Sequence, residues 1–173
     1  MLHQIRQLDR SDFQALKELR VAALQDSPEQ FGETLFAAHE RSDEGWAELT
    51  HSTHVAEING ASVGMAFVFD DPKDPAVGRV GGMWVAPGYR RVGVGSALLA
   101  AARTWAALKG KRLIRLWVVP ASFGAALYER AHFAATGAQR PFPGDETRSV
   151  IEMELDLMSG PLTLVRQNEG PAR

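Results

Sequence analysis

The chain has 173 residues, 45% hydrophobic and 23% charged, which fits one globular domain with a sizeable core. Its formal net charge of −2 supplies no global basic field, so neither nucleic acid nor an anionic membrane is an expected partner, and the absence of cysteine excludes disulfides, thiolate metal sites and a cysteine nucleophile. No apolar run approaches the roughly 20 residues that span a bilayer, and Met1-Leu2-His3-Gln4-Ile5-Arg6 lacks the apolar stretch of a signal peptide, so a cytoplasmic protein is expected.

In chain order, Gln4 to Leu8 alternates weakly and predicts a first strand. Ser11-Asp12-Phe13-Gln14 has the form of a capping box, and Phe13, Leu16, Leu19 and Ala23 recur at helical spacing, so a helix is expected to about Leu24, ended by Asp26-Ser27-Pro28. Residues 31–50 form a second helical region, re-capped midway at Ser42-Asp43. Thr53 to Ile58, the Asn59-Gly60 turn and Ala61 to Phe69 read as a hairpin. Asp70 to Pro75 is a loop and Val77 to Val85 the next strand. A helix from Gly93 to about Lys109 buries Val94, Leu98, Ala102, Trp105 and Leu108, with Gly110 at its C′ position. Arg112 to Val119 is a strand, Ala121 to Ala131 a short helix, and Phe133 to Thr136 and Ser149 to Leu157 the last strands. Residues 1–157 therefore form one domain, and 158–173, with little periodicity, are expected to be a flexible tail.

The most informative stretch is Val85-Ala86-Pro87-Gly88-Tyr89-Arg90-Arg91-Val92-Gly93-Val94-Gly95-Ser96, set between a strand and a helix start. Amides gathered at a helix N-terminus form an anion site. Gly93 and Gly95 allow a phosphate to approach the backbone, and Arg90 and Arg91 add charge, so the loop suits a pyrophosphate. No Gly-x-x-x-x-Gly-Lys-Ser/Thr occurs, and the dinucleotide fingerprint lacks its third glycine, where Leu98 stands, and the later carboxylate.

Arg90-x-x-Gly93-x-Gly95 resembles the acetyl-CoA loop of the GNAT superfamily of N-acetyltransferases. Met83-Trp84-Val85-x-Pro87 resembles the strand end before that loop, and Leu127-Tyr128-Glu129-Arg130-Ala131-His132-Phe133 the later Leu-Tyr-x-x-x-Gly-Phe element. Three elements in the right order make the resemblance specific from about residue 80 to 137. It implies a GNAT-like α/β fold, a strongly twisted mixed sheet of about seven strands with helices on both faces.

The resemblance further implies that acetyl-CoA is the cosubstrate, with no metal. Main-chain groups of Met83, Trp84 and Val85 would meet the pantetheine arm and polarise the thioester carbonyl. Arg90, Arg91, Val92, Gly93, Val94, Gly95 and Ser96 would wrap the pyrophosphate, and Phe123 is counted among the cofactor-binding residues. Tyr128 is the catalytic candidate, a proton donor to the departing thiolate. Two positions depart from the family pattern: Ala121 stands for an asparagine and His132 for a glycine. Glu33, Glu40 and Glu57 are candidate bases by position, each with a competing reading as a surface carboxylate. His51-x-x-His54 falls at a helix-to-strand break without a third ligand and does not read as a metal site. The resemblance also implies that residues 31–50, with Phe31, Phe36 and Trp46, and the loop at Asp70 to Pro75 border the acceptor side, and that Pro141 to Asp145 closes over it.

Two functions remain open at this level. One is direct transfer of an acetyl group to a primary amine in a ternary complex, the acceptor being a small amine, an amino acid, an antibiotic or a protein amine. The other is a non-catalytic acyl-CoA-binding sensor or assembly module. A nucleotide-binding protein is a more distant third. Exposed sheet edges are compatible with a homodimer.

Overall fold

The computed structural model describes residues 3–158, so the expectation for the tail lies, but for Met158, outside the described residues. Seven strands form one sheet in the order β1-β2-β3-β4-β5-β7-β6: β1 Gln4–Gln7, β2 Thr53–Ile58, β3 Ala61–Asp70, β4 Val77–Val85, β5 Leu113–Val118, β6 Ala134–Phe142 and β7 Asp145–Asp156. All neighbours are antiparallel except β4 and β5. The mixed sheet of the sequence reading is thus observed.

The helices are α1 Phe13–Asp26, α2 Leu35–Glu40, α3 Asp43–Thr50, α4 Val94–Leu108 and α5 Phe123–Arg130. One face of the first half-sheet packs Val55, Met65 and Trp84 against Leu16, Leu24, Ala38 and Trp46 from α1, α2 and α3. Alternation turns their neighbours Ala56 and Ala66 to the opposite face, onto Val94 and Leu98 of α4, and a bulge in β3 at the β2 pairing turns Val63 there as well. Farther along that second face, Leu99, Ala102 and Ala106 of α4 and Ala125 and Tyr128 of α5 cover Val80, Ile114, Leu116, Val118 and Met153.

Local signals explain most boundaries. Asn59 and Gly60 both have positive φ, 51° and 78°, as a two-residue turn between β2 and β3 requires. Ser42 caps α3 as expected, its hydroxyl accepting from the Gly45 amide, and Thr34 caps α2. The capping box sits earlier than the sequence suggests. Asp9 opens it, accepting from Ser11 N–H while its own amide bonds Asp12, and a 3-10 turn over Arg10–Asp12 leads into α1.

The last hairpin is longer than expected. β6 and β7 pair from Ala134↔Glu154 to Phe142↔Asp145, so Pro141 to Asp145 forms a strand end and a tight turn rather than a loop. β6 is an edge strand exposed along nearly its whole length, so it carries no buried alternation for a pattern to reveal. Its outer edge tolerates Pro141.

The parallel pairing of β4 with β5 covers only Val77↔Leu113, Gly78↔Ile114 and Arg79↔Arg115. Beyond Arg79 the strands separate, and the sheet opens toward Val85. A bulge in β4 accompanies the opening: Met65 pairs with Trp84 but Phe67 with Gly81, so β4 carries an extra residue. Gly82 takes φ +56° there, and a Cβ on it would lie 2.2 Å from the Phe67 ring. Gly82→Ala should therefore destabilise the protein by about 2–4 kcal/mol through backbone strain and overpacking, read as a lowered urea midpoint. An unchanged midpoint would show that the bulge relaxes freely.

Candidate active site at the opening of the sheet

Three segments meet where β4 and β5 part: the bulged end of β4, the loop into α4, and α5. The loop makes a short 3-10 turn over Pro87–Tyr89. It then passes through Arg91 at φ +62° and Gly93 at φ +95°, and Gly93 is the N-cap of α4. No side chain caps this helix. Its first intrahelical bond joins the Ala97 amide to Gly93 O, so the amides of Val94, Gly95 and Ser96 precede the ladder. A Cβ on Gly93 would find only His3 within 4 Å, leaving the helix start open. Gly95 has a packing role as well, because a Cβ there would come within 2.9 Å of Leu127 on α5.

The predicted residues divide by what their side chains do. Arg90 is engaged within the protein: its Nε donates to Val85 O at 2.8 Å, and its guanidinium bonds Asp26 at the end of α1. Arg91 is exposed, with no ion pair among the described residues. Val92 and Ser96 are exposed and Val94 buried. The Trp84 ring faces α1, where its Nε1 donates to Asp26 at 2.9 Å, so Trp84 and Val85 offer the opening main chain rather than functional side-chain groups. Phe123, the first residue of α5, is 99% exposed.

Met83 and Tyr128 are brought together. The Tyr128 hydroxyl donates to Met83 Sδ at 3.4 Å, linking α5 to the bulged part of β4. The Tyr128 ring packs against Phe133, centroids 5.7 Å apart. Burial pushes the phenol pKa above its ordinary value, so the group remains an O–H donor at neutral pH.

The two departures from the family pattern both occupy strained backbone: Ala121 has φ +57° and His132 φ +68°. The chain therefore takes a left-handed conformation at both positions without the residue types that favour it. With Arg91, these flank the loop and α5, where strain clusters. His132→Gly should raise stability by about 0.5–1 kcal/mol, the strain removed less the added freedom of the unfolded chain. Denaturant unfolding would detect it, and a loss of stability would mean that the exposed imidazole contributes more than its backbone costs.

Asp26, expected only as a helix end, and the three candidate bases take the following places in the structure. Asp26 ties α1 to both Trp84 and Arg90, and its hydrogen bonds from Ser27, Trp84 and Arg90 hold its carboxyl below the usual range against the effect of burial. Glu33 accepts from Arg20 Nε at 2.7 Å and from an Arg41 Nη at 2.6 Å. Burial opposes its ionisation, but the two arginines outweigh it and hold the carboxyl low. Glu57 accepts from Arg6. A carboxylate held low, as that of Glu33 is, is a poor base at neutral pH, which leaves Glu33 as a structural partner of the two arginines. Glu40 is exposed on α2.

The loop at Asp70 to Pro75 precedes Val77, at the end of β4 still paired with β5, so it lies away from the opening. The tip of the last hairpin does approach the segment between α1 and α2: Arg148 donates to Glu29 O at 2.7 Å, and Pro143 packs on Gly32. His51 ends α3 while His54 is buried within β2, where burial lowers its pKa. Among the described residues, no helix is long and apolar enough to cross a membrane.

Comparison with known proteins bears on this arrangement. No match was found among curated proteins. Solved structures share the fold. An acetyltransferase of the GNAT family from Streptococcus pneumoniae superposes with a TM-score of 0.74 at 21% identity, over 90% of this chain and 99% of that one. The yncA protein of Salmonella typhimurium, solved with acetyl-CoA, gives 0.72 at 20% identity, over 91% and 95%. The paiA N-acetyltransferase of Thermoplasma acidophilum, in complex with coenzyme A, gives 0.70 at 18%, over 90% and 99%. The sequence profile of the acetyltransferase (GNAT) family matches residues 3–133, which hold the opening, the loop and Tyr128, and the chain belongs to that family.

Proposed function

We propose that the protein is an acetyl-CoA-dependent N-acetyltransferase that moves an acetyl group to a primary amine by direct attack. The observation that carries this reading is the juxtaposition of a helix start with open amides and a buried tyrosine hydroxyl, at the point where β4 leaves β5. Anion binding at a helix N-terminus needs only oriented amides and the helix dipole. The amides of Val94, Gly95 and Ser96 would hold the pyrophosphate, with the Arg91 side chain adding charge. Arg90 supports the same loop indirectly, by fastening it to Asp26 and Val85.

Acetyl-CoA supplies a thioester, whose carbonyl carbon the amine attacks and whose C–S bond then breaks. Main-chain groups of β4 beyond Arg79 have no partner on β5. An N–H among them would stabilise the negative charge that develops on the carbonyl oxygen. Tyr128 would give its proton to the departing thiolate. Glu33 and Glu57 are bound by arginine and Glu40 is exposed on α2, so no side chain is assigned as the base, and the amine is taken to arrive neutral or to lose its proton to solvent. With cysteine absent from the chain, a cysteine thioester intermediate has no nucleophile.

A binding module alone would use the loop and have no need of the phenol. Mass spectrometry separates the two. After incubation with acetyl-CoA alone, the protein mass should be unchanged. After addition of amines, an N-acetylated amine should appear in proportion to the enzyme's turnover. Acetylated protein that passes its acetyl group to the amine would overturn direct transfer. Tight acetyl-CoA binding with no acetylated amine would favour the binding module.

A further inference from the structure

Arg20 is the unusual residue of this fold. It lies in α1 with a side chain 7% exposed, stacked at 4.6 Å from the Phe31 ring centroid and 5.6 Å from that of Phe67. Its Nε donates to Glu33, but its Nη1 is buried without a hydrogen-bond partner. That nitrogen lies 3.4 Å from the point where a Cβ on Gly82 would sit, so it is aimed at the bulge of β4. Leaving a charged donor unpaired in a buried position is costly, and native structures rarely do so without a reason.

Charge balance sharpens the point. Arg20 and Arg41 share the single carboxylate of Glu33, so this cluster keeps one positive charge uncompensated. Across the opening on the same sheet face, alternation from the paired Arg79 and Arg115 brings Trp117 of β5 opposite Gly81. Arg140 of β6 lies over that Trp117 ring at 4.4 Å, with no ion pair among the described residues. Around Trp117 the charges balance, Arg79, Arg115 and Arg140 standing with Asp71, Glu152 and Glu154, so the excess positive charge on the face opposite α5 is that of the Arg20–Arg41–Glu33 cluster, set with aromatic rings beside a glycine-lined stretch of β4. The side reached by Tyr128 is apolar apart from its hydroxyl.

We propose that the acceptor is an amine carrying a carboxylate close to its nitrogen, of the α-amino acid type with an apolar or aromatic side chain, and that Arg20 Nη1 binds that carboxylate. This inference rests on the transferase reading. The short reach from Arg20 to the bulge favours a carboxylate near the amine. Phe31, Phe67 and Trp117 suit an apolar remainder. A guanidinium offers paired donors to a carboxylate, which an ammonium cannot match.

The test compares each α-amino acid in a panel, phenylalanine, methionine and leucine among them, with its own amide and with the amine lacking the carboxyl group. Thiol release from acetyl-CoA is the readout. Wild type should favour the free acid over the amide by about 10- to 100-fold in kcat/KM, as expected for a hydrogen bond to a charged group. Arg20→Gln should collapse this ratio toward one, and Arg20→Lys should give an intermediate ratio, with thermal unfolding confirming that each variant is folded. Should Arg20→Gln fail to fold, the wild-type ratio and Arg20→Lys still decide. Equal rates with acid and amide in wild type, or a ratio untouched by Arg20→Lys and Arg20→Gln, would overturn the assignment while leaving the transferase reading intact. Turnover of neutral amines alone would do the same. Absence of thiol release with every amine would instead remove the transferase reading, and this inference with it.

Discussion

Gly93→Asp should weaken acetyl-CoA binding by more than about 100-fold, and Gly93→Asn by only about tenfold. Gly93 caps the N-terminus of a helix that runs over Val94–Leu108, and no side chain competes for the first amides. A carboxylate at this position would take those amides and set a negative charge against an incoming pyrophosphate. Asparagine has nearly the same shape, is a good N-cap and tolerates positive φ, so it matches Asp for strain at +95° while omitting the charge. Calorimetry of both variants with acetyl-CoA separates shape from charge. Equal affinities in wild type and Gly93→Asp would mean that the pyrophosphate lies elsewhere.

Tyr128→Phe should lower kcat by about 10- to 100-fold with little change in the KM for acetyl-CoA. The ring would keep its place against Phe133 and the α4 core. Only the hydroxyl would be lost, and its sole hydrogen-bond partner among the described residues is the Met83 sulfur, a weak acceptor, so stability should barely move. Because burial raises the phenol pKa above about 10, its ordinary value, Tyr128 should stay protonated across neutral and mildly alkaline pH. A rise in kcat with pH there would report the acceptor amine losing its proton. Full activity in Tyr128→Phe would reduce the residue to packing.

The sequence is most legible where punctuation is strong. The bounds of β4 follow from its apolar run between a proline-rich loop and Pro87, and those of α4 from Gly93 and Gly110, both at positive φ. The loop-and-tyrosine pair could be named because each lies in a local motif. What escaped were long-range pairings. Asp26 reads as a helix end, yet it meets Arg90 from 64 residues away and Trp84 from 58. Arg90 reads as a phosphate ligand, but a nearby carboxylate engages it. Arg20 falls on the buried stripe of α1 with Leu16, Leu19, Ala23 and Leu24, but its stacking on Phe31 and Phe67 is a tertiary contact that no local pattern signals. Of β6 only the start, to Thr136, was legible, and its continuation to Phe142 was not, because an exposed edge strand leaves no apolar rhythm.

The same contrast assigns the division of labour at the opening. Local motifs carry the two elements on which the proposed function rests, the loop before α4 and Tyr128. Residues far apart in sequence, Arg20, Glu33, Arg41, Phe67 and Arg140, build the other face of β4, where an acceptor would approach.

The most direct test of the account is free thiol released from acetyl-CoA by the purified protein against a panel of amines, amino acids, aminoglycosides and peptides. Catalytic thiol release that depends on one class of amine, matched mole for mole by its N-acetylated product, is the result expected. Tight acetyl-CoA binding with no release across the panel would contradict the transferase assignment, and failure to bind acetyl-CoA would contradict the reading of the loop itself.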